Sequence, residues 1–438
     1  MKIKQLILYL LVLTIHVELQ AQEKQTLTLR EAIDLSLANS DQAKLAETKV
    51  DIAKADLQSL RNLRYPDVKI NSQYQYITKP KINLKTEPSS GSSGGGSPVP
   101  NVHQIVFGQA MATEPIFTGF KLKNTIKAGE SNLQATVYGS KNEKEQLVLQ
   151  TIHDYINLYK ARKTVNLLEE NLVKSKQRVA DFTAKEANGL LARNDLLKAQ
   201  MQQASDELAL EEARKNEQIL NYTLALTLKL PENTFIETDG SGFGEVVNDE
   251  EIESGVRNDL QSLVFQKQAA NYQVKVAKSA YYPSFSLMTG YVMLNIQNLV
   301  SIQNAMNIGV GFSYNLASIF KARSEVEAAE NRVRELELNL NQMTDKIQVE
   351  VQNAQLEYRL AIKKQQVYTV SQEQAEENYR IIKDKYDNDL ADINELLEAD
   401  VDQLQSRINM AYAKADISEK YYNLLTAKGD LTNSLSNK

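Results

Sequence analysis

The chain repeats itself, and no other feature limits its possible folds as strongly. Pro115-Ile116-Phe117-Thr118-Gly119-Phe120-Lys121 lines up with Asn315-Leu316-Ala317-Ser318-Ile319-Phe320-Lys321 at an offset of 200 residues. At the same offset Asp195-Leu196-Leu197-Lys198-Ala199 meets Glu395-Leu396-Leu397-Glu398-Ala399, Ala161 meets Ala361, Lys185 meets Lys385 and Tyr222 meets Tyr422. An earlier segment repeats at an offset of 217, where Arg64-Tyr65-Pro66 matches Tyr281-Tyr282-Pro283. Self-similarity of this kind marks two copies of one structural unit placed side by side. Each half reads as helix, strand, loop, strand, long helix, sharp turn, helix.

Residue spacing assigns the elements. Ile347, Val351, Ala354, Tyr358, Ala361, Gln365 and Tyr368 advance in steps of four and three, as do Leu397, Val401, Leu404, Ile408, Ala411 and Ala415. Leu197, Met201, Ala204 and Leu208 keep the same stepping in the first half. A period near 3.5 suits knobs-into-holes packing of long helices. A helix over residues 121–187 would be roughly 100 Å long at 1.5 Å per residue. Such a rod belongs to a structure that crosses a gap rather than to a compact domain.

The strand candidates carry a period of two. Ile302, Asn304, Met306, Ile308, Val310, Phe312, Tyr314 and Leu316 are expected on one face, with small or polar residues between them. Val68, Ile70, Tyr74 and Tyr76 alternate with Lys69, Asn71, Gln73 and Gln75. Segments 102–113 and 284–296 alternate less cleanly. One apolar and one polar face over about ten residues fits a membrane barrel, lipid outside and lumen inside. The alternative is a half-buried sheet in a soluble protein. Four strands cannot close a barrel, and an open edge is not tolerated in hydrocarbon. If these strands span a membrane, several chains share one barrel, and three copies of four supply twelve.

Composition removes whole classes of function. The chain has no cysteine, so disulfides, thiolate metal sites and cysteine nucleophiles are excluded. Its three histidines, His16, His103 and His153, carry no metal-ligand spacing. No cofactor is expected and no catalytic constellation is visible, so an enzyme is the less favoured class. Gly240-Ser241-Gly242-Phe243-Gly244 has the wrong spacing for a phosphate loop and reads as a linker turn. Lys2 and Lys4 precede an apolar run from Leu6 to Val17, with Ala21 a candidate cleavage point. That run is shorter than the roughly 20 residues of a spanning helix, which favours an export signal over an anchor. Removing residues 1–21 takes two Lys and one Glu, leaving 48 basic against 55 acidic residues from the original 50 and 56. A net acidic chain is a poor nucleic-acid binder.

The expected organisation is a signal peptide over 1–21, a first repeat over 22–230, a linker over 231–248 and a second repeat over 249–438. The first repeat holds helices 30–64, 121–187 and 191–229 and strands 66–77 and 102–115. The second holds helices 250–281, 321–387 and 391–428 and strands 283–296 and 301–316. The Gly- and Ser-rich stretch Pro88–Pro98 reads as a loop.

In that order the motifs resemble the TolC-like outer-membrane efflux proteins, over roughly Leu27 to Asp430. The resemblance rests on the duplicated order, on Tyr65-Pro66 and Tyr282-Pro283, on Pro115-Ile116-Phe117, and on Asn188-Gly189-Leu190-Leu191 followed by Asp195-Leu196-Leu197-Lys198-Ala199-Gln200. It implies a mainly α fold with a membrane β-barrel: a homotrimer with a shared 12-stranded barrel in outer-membrane lipid and a long periplasmic α-helical barrel. It implies an exit duct that passes substrates passively, docked to a periplasmic adaptor and an inner-membrane transporter of RND or ABC type. The rival reading is a non-channel periplasmic coiled-coil scaffold.

The resemblance also implies roles for residues. The turns between paired helices, Asn188, Gly189 and Leu190, and Asn388, Asp389 and Leu390, would meet the adaptor. Asp389 stands where a glycine is usual, so the second turn is expected to differ in shape. Glu395 and Glu398, three apart on one helix face, would form a ring of six carboxylates favouring cations. The rival reading of these two is an ordinary solvated helix face. A latch would join Tyr386 to Asp195. A second link uses an arginine where this chain has Ala391, which deprives Asn194 of its partner.

Overall fold

The computed structural model describes residues 24–78, 102–249 and 254–436. The signal segment and the Pro88–Pro98 loop lie outside them. In chain order the elements are β1 (Lys24–Leu27), α1 (Leu29–Asn39), α2 (Asp41–Asn62), β2 (Asp67–Tyr76), β3 (Gln104–Phe117), α3 (Lys121–Ala187), α4 (Arg193–Leu228) and β4 (Phe235–Thr238). Then follow α5 (Asn258–Lys278), β5 (Ser284–Ile296), β6 (Val300–Ser313), α6 (Leu316–Asp387), α7 (Ile393–Lys428) and α8 (Leu431–Ser436). The chain divides into two units. One comprises the described residues up to Lys49, Tyr138–Gln261 and those from Gln342 onward; the other comprises Val50–Val137 and Ser262–Asn341.

The first unit is helical with a small sheet. Thr28 opens α1 with a reciprocal capping box, its hydroxyl accepting from the Glu31 N–H while the Glu31 carboxylate accepts from the Thr28 N–H. A single helix expected over 30–64 is broken at Ser40. Its backbone is extended there, and its hydroxyl accepts the Ala43 N–H at 3.2 Å, starting a new helix. The linker, expected to be irregular, also holds a strand. β4 pairs in parallel with β1, from Lys24 opposite Phe235 to Leu27 opposite Thr238. Two buried tyrosines tie this linker to the long helices. Tyr155 donates to the Leu27 carbonyl at 2.6 Å and accepts the Asp239 N–H at 2.7 Å. Tyr358 exchanges a pair of 2.9 Å bonds with the Val247 backbone. Around them sit two apolar clusters, one with Leu27, Leu158, Leu224 and Ile236, the other with Ile152, Ile156, Ile417 and Leu424.

The second unit contains an antiparallel sheet in the order β2-β3-β5-β6. The two repeats meet where β3 pairs with β5, which leaves β2 and β6 as edges. The less cleanly alternating segments are therefore full strands at the centre of the sheet. α5 begins at Asn258 rather than 250, residues 250–253 lying outside those described, and a short 3-10 turn follows it at Ser279–Tyr281.

The repeats diverge where strand meets long helix. In the first, Gly119 and Phe120 take positive φ of 62° and 66°, and α3 starts at Lys121. A Cβ on Gly119 would fall 2.7 Å from the Ser279 carbonyl oxygen, so only glycine fits. The second repeat has Ile319 there, whose branched Cβ disfavours that conformation. Its helix accordingly starts earlier, at Leu316, and its strand ends at Ser313 instead of 316.

Candidate functional site

Two helix reversals, α3 into α4 and α6 into α7, carry most of the residues singled out from the sequence. Both close with the same hydrogen bonds. The Leu190 N–H donates to the Lys185 carbonyl at 2.9 Å and the Gly189 N–H to Glu186 at 2.9 Å. At the second reversal the Leu390 N–H donates to Lys385 at 2.8 Å and the Asp389 N–H to Tyr386 at 3.1 Å. This pair of bonds defines the Schellman motif, with its left-handed residue just past the helix end. Gly189 has φ 71° and Asp389 φ 60°. The expected difference in shape is not found: Asp389 adopts the glycine-like conformation. Each turn is further tied by its asparagine, Asn188 to the Ala184 carbonyl and Asn388 to Asp384, both at 2.7 Å. Leu190 and Leu390 stand at the two apices, each 76% exposed.

The starts of the following helices differ. Asp392 caps α7, accepting the N–H groups of Asn394 and Glu395 at 2.7 and 3.1 Å, whereas Ala192 offers α4 no side-chain cap. Arg193 pairs with Glu186 across the first turn at 3.3 Å.

Behind the turns α3, α4 and α7 meet in an apolar cluster of Phe182, Leu196, Ala199, Ile393 and Leu396, against which α6 packs Tyr379, Ile382 and Tyr386. Tyr386 packs on its edge, its ring stacked against Phe182 at 5.8 Å between centroids. Burial raises its phenol pKa, and the charge of Asp195 raises it further. Asp195 thus acts on Tyr386 through space, and it is half-buried at the start of α4. Asn194, Glu395 and Glu398 are exposed. Ala391 leaves no charged group beside the second turn at that position.

One buried ion pair in this region lies outside the residues expected from the sequence. Arg178 of α3 pairs with Asp400 of α7 at 2.7 Å, with only 10% and 5% of the side chains exposed. Arg178 Nη1 and Asp400 Oδ1 lack hydrogen-bond partners. Burial works against the arginine charge, but Asp400 and a hydrogen bond with Tyr379 outweigh it and raise its pKa. A charge on a helix is usually solvated, so the pair was hidden. The signal available was the break in the repeat, since Gln200 stands where the second half has Asp400.

The four-stranded sheet is the other functional element. Register sorts its side chains into two faces, because residues directly opposite share a face. Val68, Ile70, Tyr74, Tyr76, Phe285, Leu287, Tyr291, Met306, Ile308, Val310 and Phe312 fall on one face. Lys69, Asn71, Gln73, Gln75, Gln109, Ser284, Ser286, Gly290, Asn307, Gly309 and Gly311 fall on the other. The predicted alternation of 301–316 holds only from Met306 to Phe312. Asn304 takes φ 59°, and the register slips so that Ile302 pairs with Leu294. That extra residue turns Ile302 onto the face opposite Ile308, which corrects the expected single face. Aromatics gather at the helix end of the apolar face, where Phe117, Phe120, Tyr282, Phe285 and Phe312 form a chain of ring contacts of 5.2–6.3 Å.

Among the described residues no helix is long and apolar enough to cross a membrane, and no cluster of metal-ligating side chains occurs. An apolar-faced sheet joined to paired helices of 67 and 72 residues defines a class of protein, and comparison agrees. The chain is similar in fold to VceC of Vibrio cholerae, with TM-score 0.77 and 17% identity, covering 92% of this chain and 96% of that one. It is likewise similar to the CmeC outer membrane channel of Campylobacter jejuni, with TM-score 0.79 and 19% identity over 93% of this chain and 88% of that one. The outer membrane efflux protein BepC of Brucella suis biovar 1 (strain 1330) is 20% identical over 302 residues. That match takes in 66% of this chain and spans 64% of the relative's length. The family model for outer membrane efflux proteins matches residues 32–228 and 255–430. The chain belongs to the outer membrane efflux protein family, and its fold is that of the TolC-like channels.

Proposed function

We propose that this protein is the outer-membrane exit duct of a tripartite efflux or type I secretion system. Three copies would share one barrel of twelve strands, three times the four found in each chain. Their helices would continue as a periplasmic tube. The observation that carries this reading is the sheet: four antiparallel strands with an exposed apolar face, Met306 at 84% and Ile308 at 80%, and two unpaired edges, β2 and β6. Unpaired edges in hydrocarbon cost several kcal/mol per unsatisfied group, roughly, so such a sheet enters a bilayer only when copies close it. The aromatic chain at its helix end fits the girdle of a membrane barrel.

Substrates cross such a duct passively, delivered by an inner-membrane transporter of RND or ABC type through a periplasmic adaptor. The adaptor meets the two turns, where Leu190 and Leu390 are the exposed apolar contacts. Glu395 and Glu398 line the mouth and favour cations, and Tyr386 with Asp195 holds it closed. Gel electrophoresis without boiling tests the assembly. The expected result is a detergent-dependent, heat-modifiable trimer in the outer-membrane fraction. A mature chain that is soluble and monomeric without detergent would overturn the reading in favour of a periplasmic scaffold.

A further inference from the structure

The sheet face opposite Ile308 is polar near the helices and apolar at its far end. Residues directly across from one another form rungs on that face. One rung runs Gln75, Ile105, Ile296, Val300 from β2 to β6, and the next runs Gln73, Phe107, Leu294, Ile302. The slip at Asn304 completes the second rung, because it turns Ile302 away from the side of Ile308. Both rungs lie at the strand ends away from α2 and α3. Three of the four strands give each rung a large apolar side chain. Toward the helices the next rung, Asn71, Gln109, Val292, Ala305, brings back two amides, and the one after it holds Lys69 and Asn307.

Water inside a membrane barrel favours polar side chains, so an apolar end to the inner face calls for a cause. A contiguous apolar patch kept in water marks a place of contact. Its chemistry narrows what it contacts. No acidic or basic side chain stands on either rung, and Lys69 and Asp67 further along the face pair with each other at 2.6 Å. An ion finds no partner there and loses hydration beside hydrocarbon. A sugar, rich in hydroxyls, finds one glutamine amide per rung. The fitting molecule is uncharged, with an aromatic or aliphatic body and a single hydrogen-bonding group. Its body covers Phe107, Leu294 and Ile302, and its polar group meets Gln73 or Gln75. Ile302 is 42% exposed and open to such contact.

We propose that these two rungs form an apolar collar at the outer end of the pore, which retains uncharged amphiphilic solutes on their way out. The proposal rests on the duct reading above, which puts this face on the lumen. Three copies would then place nine apolar side chains among the twelve of each ring. Contact removes apolar surface of both solute and wall from water, and that burial supplies the affinity. Ions and sugars pass the same wall without delay.

The chain contains no tryptophan, so Phe107→Trp gives a single reporter inside the collar. The trimer is reconstituted in lipid and titrated with para-nitrobenzyl alcohol, an uncharged aromatic quencher with one hydroxyl. Its quenching is expected to saturate. Adding Ile302→Asn is expected to raise the half-saturating concentration, and Ile302→Asn with Leu294→Asn to raise it roughly tenfold. Acrylamide, uncharged and polar, is expected to quench all of these proteins to the same extent without saturation. A heat-modifiable trimer band checks each variant, and Ile302→Asn alone serves if the second change prevents assembly. Unsaturable quenching by the alcohol, or a half-saturation that the asparagine variants leave unchanged, overturns the collar while leaving the duct standing. Protection from both water-soluble quenchers does the same, since it would show the rungs covered by protein. Quenching of Phe107→Trp by brominated lipid tails would place the rungs against the bilayer and overturn the duct reading itself.

Discussion

At the second turn an aspartate occupies the position that glycine fills in the first, and the backbone is left-handed at both, φ 60° and 71°. The two positions respond to substitution with opposite sign. Gly189→Ala adds a Cβ to a left-handed residue and is expected to cost about 1 kcal/mol locally. Faster hydrogen exchange at the Leu190 amide would report it. Asp389→Gly relieves that same conformation and leaves exchange at Leu390 equal or slower. The phenol of Tyr386 offers a second test at this scale. Burial and the nearby Asp195 charge both favour its neutral form, a hydroxyl able to donate. The double change Asp195→Ala with Tyr386→Phe is expected to raise single-channel conductance in planar bilayers. Unchanged conductance would remove these residues from the gate.

Between elements, the contacts of α3 with α7 are charged and partly buried, and they predict two behaviours. Removing one partner of a buried pair strands the other, so Arg178→Ala is expected to destabilise by about 3–5 kcal/mol. Arg178→Met combined with Asp400→Leu should lose much less, and a calorimetric comparison of the two variants decides. Further along the same contact Lys160 holds Asp416 at 2.5 Å and Glu419 at 2.8 Å. Burial opposes the Glu419 charge, yet Lys160 prevails and depresses its pKa below the ordinary value. A depressed carboxylate stabilises the folded state fully above its unfolded pKa of roughly 4.3. That contribution fades as pH falls through the lower folded value. Melting temperature should therefore drop more steeply below about pH 4 in the unsubstituted protein than in Glu419→Gln.

For the molecule as a whole, the proposed membrane barrel rests on the two faces of the sheet. Ile308 and Ile302 look alike in sequence, but the bulge at Asn304 puts them on opposite faces. In the proposed barrel, arginine at Ile308 would meet the bilayer, at about 2–4 kcal/mol near its midplane. Arginine at Ile302 would not. Ile308→Arg is expected to reduce heat-modifiable trimer in the outer-membrane fraction strongly, and Ile302→Arg only slightly. Equal loss from both would show that the register, not the residue type, has been misjudged.

Much of this architecture was written in the chain's periodicities. Steps of three and four marked α4, α6 and α7, alternation marked β2 and most of β6, and the offset of 200 marked two units and carried α3 with them, because each pattern follows from local backbone geometry or from duplication. The ends of elements were less legible. Ser40 splitting a helix, Ile319 advancing another and Asn304 turning a strand each depend on one residue's φ and on its neighbours in space. The buried Arg178–Asp400 pair, the pairing of β1 with β4 and the tyrosine clamps join residues 84 to 222 positions apart. No local period encodes such contacts, so folding in three dimensions alone decided them.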